Sequence, residues 1–284
     1  MQQVKVISAS HGGHSGDIVY GLALARHIAM ANACLIDLYI AQDRPCQLPP
    51  GMQHPNGLHV LMPPAAFEFV QPLIEIQPYV NRVLYVADAD MPAEAVRLDP
   101  YRYAQGMNLG AGNIANWPGT LYGIPVDVSA PWLNVRPVKA VWPVTVAMSK
   151  RYRNAAIDYS FLGQLEGVRF IGLPEEYEDF KTRHRLAGLA HHQCATALEL
   201  AEAIASSRVF IGNQSMPFAV AEGLKVNRAL EVFELAPNVV PTGQGAGTYI
   251  YQGALINLLR SWGVNVPPES VRNVPPNYIA YLVS

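Results

Sequence analysis

The sequence predicts an α/β protein in which two units of similar size meet near residue 136. Apolar runs typical of strands alternate with segments of helical periodicity in both halves, which implies parallel strands with helices on their faces. Half of the 284 residues are hydrophobic and 15% are charged, so a packed core is expected and a mainly disordered chain is excluded. Residues 1–135 hold six basic and ten acidic side chains, whereas residues 136–284 hold fourteen and twelve, which supports the boundary.

The first unit opens with a predicted strand over residues 4–8, a glycine-rich loop and a helix. Ile18, Leu22, Ala25 and Ala29 recur at helical spacing after that loop. The further elements predicted here are strands over 34–40, 58–62 and 83–86 and a helix over 65–76. Residues 99–132, rich in Gly, Asn, Tyr and Pro, predict an irregular segment with one short helix.

In the second unit the alternation of strand and helix restarts after Pro137. The predicted strands cover residues 144–148, 168–172, 209–212 and 229–233. The predicted helices cover about 158–165, 195–205, 217–224 and 249–262. Because this half carries the excess of basic side chains, it is the more favourable place for an anionic ligand.

Composition also restricts the compartment and the partners. Three cysteines without C-x-x-C spacing indicate neither a disulfide framework nor a zinc ribbon, so a reducing, cytoplasmic location is predicted. A net charge of -2 provides no broad attraction for nucleic acid, and any anion site must be local. With no apolar stretch near 18 residues, a transmembrane segment is not expected, which leaves peripheral contact with a membrane open.

The first candidate site is the loop His11-Gly12-Gly13-His14-Ser15-Gly16-Asp17, because parallel sheets bind ligands at the carboxyl ends of their strands. Its glycines let the backbone approach a ligand closely, and Asp17 lies at the start of the helix. Capping of the helix is the alternative role for Asp17. The predicted acceptor or phosphate contacts are Gly12, Gly13, His14 and Gly16. Their spacing is not G-x-G-x-x-G, so a dinucleotide fingerprint is not supported.

The second candidate site follows the strand over 144–148. Guanidinium groups match phosphate oxygens, so three cations within four residues indicate a diphosphate grip. The residues predicted to bind are Ser149, Lys150, Arg151 and Arg153. A solvated surface is the alternative reading of this run.

The third candidate site is the turn Gly212-Asn213-Gln214-Ser215-Met216-Pro217, where Pro217 can start a helix. Free backbone N–H groups at a helix N-terminus form a natural phosphate seat. The predicted ligand contacts are Gly212, Asn213, Gln214 and Ser215, with Glu222 and Glu231 as acceptors for ribose hydroxyls. The alternatives are a helix cap at Ser215 and surface carboxylates at the two glutamates.

Three segments carry a resemblance to a known family. The stretch Gly16-Asp17-Ile18-Val19-Tyr20-Gly21-Leu22 resembles the opening of heptosyltransferase-type glycosyltransferases of family 9, and Gln77-Pro78-Tyr79-Val80-Asn81-Arg82-Val83 is similar to the segment leading into a later strand of their N-terminal domain. Residues 209–217, running on to Ala221-Glu222-Gly223-Leu224, resemble their Gly-Asn-Asp-Ser-Gly-Pro donor-site motif and the helix after it.

That resemblance implies the GT-B fold, with two Rossmann-like domains facing a cleft. Residues 1–135 would bind the acceptor, 136–264 the nucleotide-diphosphate sugar, and 265–284 would cross back onto the first domain. It implies inverting, metal-independent transfer of a sugar to a glycan, lipid-linked or other hydroxyl, in cell-surface glycan or lipopolysaccharide-type biosynthesis. Asp17 maps onto the general base, and no cofactor beyond the co-substrate is implied.

The sequence departs from the family motif at three positions. Gln214 stands where aspartate is frequent, Met216 replaces glycine, and Ala219 takes a position frequently held by histidine. The donor site is therefore altered, and the donor is not implied to be ADP-heptose.

Other readings of the motifs stay open. Asp88-Ala89-Asp90 matches the D-x-D pattern with which GT-A enzymes hold a divalent metal. The eight histidines form no metal-binding spacing. A non-catalytic nucleotide-sugar binder and a GT-B sugar-nucleotide epimerase are alternatives to a transferase. An NAD oxidoreductase is disfavoured, because the glycine fingerprint is missing and Asp37 is predicted in mid-strand.

Overall fold

The computed structural model describes residues 4–46, 60–136, 138–139 and 141–268. In chain order these residues form β1 (Lys5–His11), α1 (Ser15–Asn32), β2 (Cys34–Ala41), α2 (Pro64–Glu75), β3 (Val80–Val86), β4 (Val96–Arg97), α3 (Trp117–Tyr122), β5 (Trp142–Ala147), β6 (Val168–Ile171), α4 (Pro174–Arg183), β7 (Ala190–His192), α5 (Ala197–Ala205), β8 (Ser207–Gly212), α6 (Met216–Leu224), β9 (Arg228–Glu231), β10 (Ala246–Tyr249) and α7 (Gln252–Ser261).

The first sheet has the strand order β3-β2-β1-β4, and all of its pairings are parallel. The register places Lys5 opposite Cys34 and His11 opposite Ile40. The strands predicted over 4–8, 34–40 and 83–86 and the helices after the glycine-rich loop and over 65–76 are confirmed, although β1 continues to His11; β4, two residues long, was not predicted. Of the strand predicted over 58–62, residues 58 and 59 lie outside the described residues, and Val60 forms only an isolated bridge to Pro45.

The second sheet has the order β10-β9-β8-β5-β6-β7, again with parallel pairings throughout. If the six strands of this unit are numbered 1 to 6 in chain order, the sheet reads 3-2-1-4-5-6 from β7 to β10. This is the Rossmann arrangement. Its strand order reverses between β5 and β8, and that of the first sheet reverses between β1 and β4. Ligands of such sheets bind outside these switch points.

One group of buried side chains runs through both sheets. Helix α1 packs against α6, and α2 packs against α5. Trp132, which is 1% exposed, donates from its indole nitrogen to the Val19 carbonyl at 2.9 Å and from its backbone N–H to the Gly223 carbonyl at 3.0 Å. The segment just before the predicted boundary is thus attached to both units.

Three elements of the second unit were not predicted, and one was assigned wrongly. Helix α4 has the sequence PEEYEDFKTR and buries only Phe180, so it lacks an apolar periodicity. Strand β7 is three residues long, and β10 begins within the glycine-rich stretch of residues 243–247. The helix predicted over 158–165 is a short 3₁₀ turn, Ser160–Gln164. The irregular segment 99–132 with one short helix is confirmed by α3.

The described part of the C-terminal segment belongs to the second unit. Val264 and Val266 are buried among the side chains beneath α7 and α4. The predicted crossing of residues 265–284 lies largely in residues 269–284, outside the described residues. Among the helices of the described chain, none combines the length and hydropathy needed to span a bilayer.

Candidate functional site

The two switch points are built in the same way. In the first sheet Oδ2 of Asp99, after β4, accepts a hydrogen bond from the Gly12 N–H after β1 at 3.0 Å. In the second sheet Oδ1 of Asn213, after β8, accepts one from the Ser149 N–H after β5 at 3.1 Å. A side chain from the fourth strand therefore holds the loop of the first strand in each unit, and all three candidate loops lie at switch points.

The N-termini of α1 and α6 meet where the two units touch. A Cβ atom on Gly16 would lie 3.4 Å from Cα of Met216, so glycine allows the close approach of the two backbones. Asp17 is the next residue, in the first turn of α1. Because both helices direct their partial positive charge toward this point, it favours an anion.

Asp17 is paired with a residue that the sequence reading missed. Nη2 of Arg102 donates a hydrogen bond to Oδ2 of Asp17, and the two side chains are about equally exposed, at 23% and 22%. The N-cap position of α1 is His14 and not Asp17. Arg102 lies in the segment predicted to be irregular. The one signal for its role is that its turn follows β4, at the switch point of the first sheet.

The glycines at 12 and 13 accommodate the protein's own arginines. A Cβ on Gly13 would lie 2.8 Å from Nη2 of Arg102, and one on Gly12 would overlap Arg44. Arg44 is 7% exposed and pairs with Asp99 at 3.3 Å, so it has little freedom to move. Both glycines are therefore explained by packing, and their predicted contact with a ligand stays a prediction.

Histidines 11 and 14 have protein partners. His11 is fully buried, and its Nδ1 accepts a hydrogen bond from the Gly13 N–H at 2.9 Å. Burial lowers the pKa of the His11 imidazole, which is consistent with a neutral ring that shapes the loop. Nδ1 of His14 lies 3.1 Å from the Leu61 carbonyl oxygen.

Asn213 shapes the loop after β5. It is fully buried, and its Nδ2 donates to the carbonyl oxygens of Ser149 at 3.0 Å and Arg151 at 2.6 Å. Arg153 donates to the Ser149 carbonyl at 2.6 Å and pairs with Asp179. Of the predicted donor contacts in this loop, Lys150 and Arg151 are the exposed cations.

Glu222 and Glu231 are interior residues, so their interpretation as surface carboxylates is wrong. Both are 1% exposed. Glu222 pairs with Lys225 and Arg228, and Glu231 accepts hydrogen bonds from the Tyr159 hydroxyl and from a backbone N–H of the loop after β5. These partners already bind the carboxylates, and the predicted contacts of the two glutamates with ribose stay a prediction.

Two cavities lie in the second unit. One, of about 20 Å³, is large enough for one water molecule and is lined by Arg153, Tyr159, His184 and Glu231 among others. The other is an open depression of about 670 Å³ between Lys150 and α4, lined also by Glu175, Glu178 and Asp179. Lys150, in the loop after β5, therefore borders open space.

The candidate metal motif is engaged with an arginine. Oδ1 of Asp88 accepts a hydrogen bond from Nε of Arg44 at 2.8 Å and lies 2.7 Å from Nη2 of the same arginine; Asp88 is in a 3₁₀ turn, Asp88–Asp90. Within the described ranges no group of three His, Cys, Asp or Glu side chains is arranged to hold a metal ion. His191 stacks on Tyr177, with ring centroids 4.3 Å apart.

Solved structures with the same topology identify the fold. A glycosyl transferase family 9 protein from Veillonella parvula aligns with a TM-score of 0.55 at 12% identity, covering 95% of this chain and 93% of its own. ADP-heptose LPS heptosyltransferase II of E. coli aligns with a TM-score of 0.57 at 13% identity, covering 90% and 98%. The chain has the heptosyltransferase-like fold of family 9. E. coli heptosyltransferase WaaC with ADP aligns similarly, at 0.56 and 10%, covering 91% and 100%.

No family model matches the sequence, and no curated protein sequence matches it. The likeness therefore lies in the backbone fold, at 10–13% sequence identity. The turn after β8 contains the departures from the family motif. Ala219, where the family motif frequently has histidine, is fully buried. Met216, where the motif has glycine, lies against Gly16.

Gln214 stands where the family motif frequently has aspartate, and its side chain contacts other residues of this protein. Its Nε2 donates to the Ala236 carbonyl at 2.6 Å and to Oδ1 of Asn238 at 2.7 Å. Ser215 is at the N-cap position of α6, but its hydroxyl donates to the Asn213 carbonyl at 3.2 Å and does not cap the helix. In the first turn of α6, Pro217 has no N–H, and the Phe218 and Ala219 N–H groups donate to the Ser215 carbonyl at 3.0 and 3.1 Å, which leaves the Met216 N–H for another acceptor.

Proposed function

We propose that the protein is a glycosyltransferase that moves a sugar from a nucleotide-diphosphate sugar to an acceptor hydroxyl. The observation that carries the proposal is the close approach of Gly16 and Met216, which brings the first turn of α1, where Asp17 lies, against the N-terminus of α6. A base and an anion seat from two Rossmann-like sheets thereby lie side by side. The heptosyltransferase-like fold supports this reading.

In the proposed reaction Asp17 removes the proton from the acceptor hydroxyl. The oxygen then attacks the anomeric carbon in line, the bond from that carbon to the diphosphate oxygen breaks, and the configuration inverts. The positive end of the α6 dipole, together with Lys150 and Arg151, stabilises the negative charge that develops on the departing diphosphate. Because cations and helix dipoles supply this stabilisation, the step needs no metal ion. Base catalysis of this kind contributes about 10²- to 10⁴-fold.

The proposal assigns residues 1–135 to the acceptor and 136–264 to the donor, with the cleft between them at the two switch points. The acceptor class is a glycan, lipid-linked or other hydroxyl of cell-surface or lipopolysaccharide-type synthesis. An E. coli neighbour carries ADP, so an adenosine diphosphate sugar is the first donor to test.

A thermal-shift panel of nucleoside diphosphates and their sugar conjugates identifies the donor class. A ligand at 100 times its dissociation constant stabilises the protein by about 2.7 kcal/mol. Transfer is then assayed with Asp17→Asn, which should lose activity and keep nucleotide binding. Glu68→Gln, an exposed carboxylate on α2, is the control and should remain active. Full activity of Asp17→Asn would remove Asp17 from the mechanism.

A non-catalytic nucleotide-sugar binder is the second candidate. The Arg102–Asp17 ion pair favours it, since this pair occupies the proposed base. Binding of a nucleoside diphosphate sugar without release of its sugar in the presence of acceptors would support the binder. Alteration of the nucleotide-sugar without an acceptor would indicate an epimerase.

A further inference from the structure

Tyr152 has an unusual backbone conformation within a loop that is held firmly on both sides. Its φ of 56° lies in the left-handed region, which costs a residue other than glycine about 1–2 kcal/mol. Asn213 holds the carbonyl of Arg151 before it, and the Asn154 side chain after it donates to the Ile250 carbonyl at 2.7 Å. The loop therefore imposes this conformation, and such strain is concentrated at functional sites.

The conformation leaves the Tyr152 ring partly in solvent at the carboxyl edge of the second sheet. The side chain is 37% exposed. Phe233, which follows β9, supports the ring at a centroid distance of 5.4 Å and an interplanar angle of 60°. The guanidinium carbon of Arg151 lies 5.5 Å from the ring centroid. An aromatic surface and a cation are thus presented together, beside the exposed Lys150.

This combination matches the two chemical parts of a nucleotide. Aromatic rings stack on nucleobases, whereas guanidinium and ammonium groups attract phosphates. The loop lies beside the turn after β8, to which Asn213 connects it, so a diphosphate at the N-terminus of α6 would have its nucleoside directed toward this edge. A neutral sugar or an acyl chain has no anionic group for the neighbouring cations.

We propose that Tyr152 is the stacking platform for the base of the donor nucleotide, with Lys150 and Arg151 on its phosphates. The inference rests on the proposed function, because it places the nucleotide at the same switch point. It adds that recognition of the base depends on one ring, held in place by a strained backbone and by Phe233.

The test compares nucleotide and pyrophosphate binding by calorimetry. ADP, UDP, GDP and inorganic pyrophosphate are titrated into the wild-type protein, Tyr152→Phe and Tyr152→Asn. Asparagine tolerates the left-handed region, so this variant removes the ring without disturbing the loop. We expect Tyr152→Asn to weaken binding of the preferred nucleoside diphosphate about 5- to 150-fold, because one stacking contact is lost. The affinity for pyrophosphate should not change. Tyr152→Phe should bind like the wild type.

Controls and opposing outcomes separate this inference from the proposed function. Tyr122→Asn, which changes an exposed tyrosine of the first unit, should bind every ligand normally. Equal binding of the preferred nucleotide by Tyr152→Asn and the wild type would overturn the platform alone. The platform would also be overturned if the wild type bound no nucleotide more tightly than pyrophosphate. If the wild type binds neither nucleotides nor pyrophosphate, the proposed function fails as well.

Discussion

Gln214 and Asn238 connect the donor turn to the other half of the molecule. Nε2 of Gln214 donates to Oδ1 of Asn238 at 2.7 Å, and Nδ2 of Asn238 donates to the Leu109 carbonyl at 2.8 Å. Alongside, the Gly112 N–H donates to the Pro237 carbonyl at 3.1 Å. A loop of the first unit is therefore hydrogen-bonded to the segment after β9, and the Gln214 side chain is hydrogen-bonded to that same segment.

Replacing Gln214 with aspartate, the frequent family residue, should loosen this connection. Aspartate has no N–H to donate, and its charge would face the Ala236 carbonyl and Oδ1 of Asn238. We expect faster hydrogen exchange at the Gly112 and Ile114 amides and a loss of about 1–3 kcal/mol in the free energy of unfolding. Gln193→Asp, an exposed site, is the matched control. Unchanged exchange at both amides would show that Gln214 does not hold the loop.

Asn213 should be necessary for the shape of the loop after β5. Asn213→Ala removes the hydrogen bonds to the Ser149 N–H and to the Ser149 and Arg151 carbonyls and leaves these partly buried backbone groups without that partner. The expected cost is about 2–4 kcal/mol in the free energy of unfolding, measured by urea titration, together with weaker nucleotide binding. Asn257→Ala, at an exposed site on α7, should leave both unchanged within about 0.5 kcal/mol. Similar stability of the two variants would contradict the role of Asn213.

Glu222 should be necessary for stability. It faces Lys225 and Arg228, and the latter is fully buried. Glu222→Gln leaves these cations buried without a counter-charge, so we expect a loss of about 3–5 kcal/mol in denaturant unfolding. Glu178→Gln, on the exposed side of α4, should change stability by less than about 0.5 kcal/mol. If both glutamine variants unfold at the same denaturant concentration, the buried ion pairs are not stabilising.

His184 should make the fold sensitive to acid. Burial lowers the pKa of its imidazole from 6.5 to about 4, although Asp158 lies 3.6 Å away. The unfolded chain binds the proton more tightly than the folded protein. Stability is therefore complete above pH 6.5 and falls as the pH drops toward 4. The loss attributable to His184 is at most about 3 kcal/mol.

The measurement is the free energy of unfolding from pH 7 to pH 4 in the wild type and in His184→Gln. Glutamine keeps an acceptor for the Tyr159 N–H, which now bonds to Nδ1 of His184 at 3.3 Å, and it does not titrate. Its pH dependence should be flatter than that of the wild type. His27→Gln, on α1, should keep the wild-type slope. Parallel curves for His184→Gln and the wild type would exclude His184 as the source.

The sequence by itself determined the α/β class and most elements whose apolar residues face a core. Strand β2 could be predicted as a continuous apolar run, because both of its faces are covered, and helix α5 from apolar residues at helical spacing. The loops at Asp17, Ser149 and Asn213 were found because they follow such strands. Helix α4 and strands β7 and β10 were not found, since they bury little or are very short.

Only the tertiary structure decided what the polar side chains contact. Arg102 is 85 residues from Asp17 in the chain, and Glu231 is 72 residues from Tyr159, so their pairing depends on strand order and not on local pattern. Charge and hydrogen-bonding groups act over a few ångströms, and no sequence period records that proximity. The same limit applies to Gly16 and Met216, whose contact exists because α1 and α6, from different units, pack together with their first turns in contact.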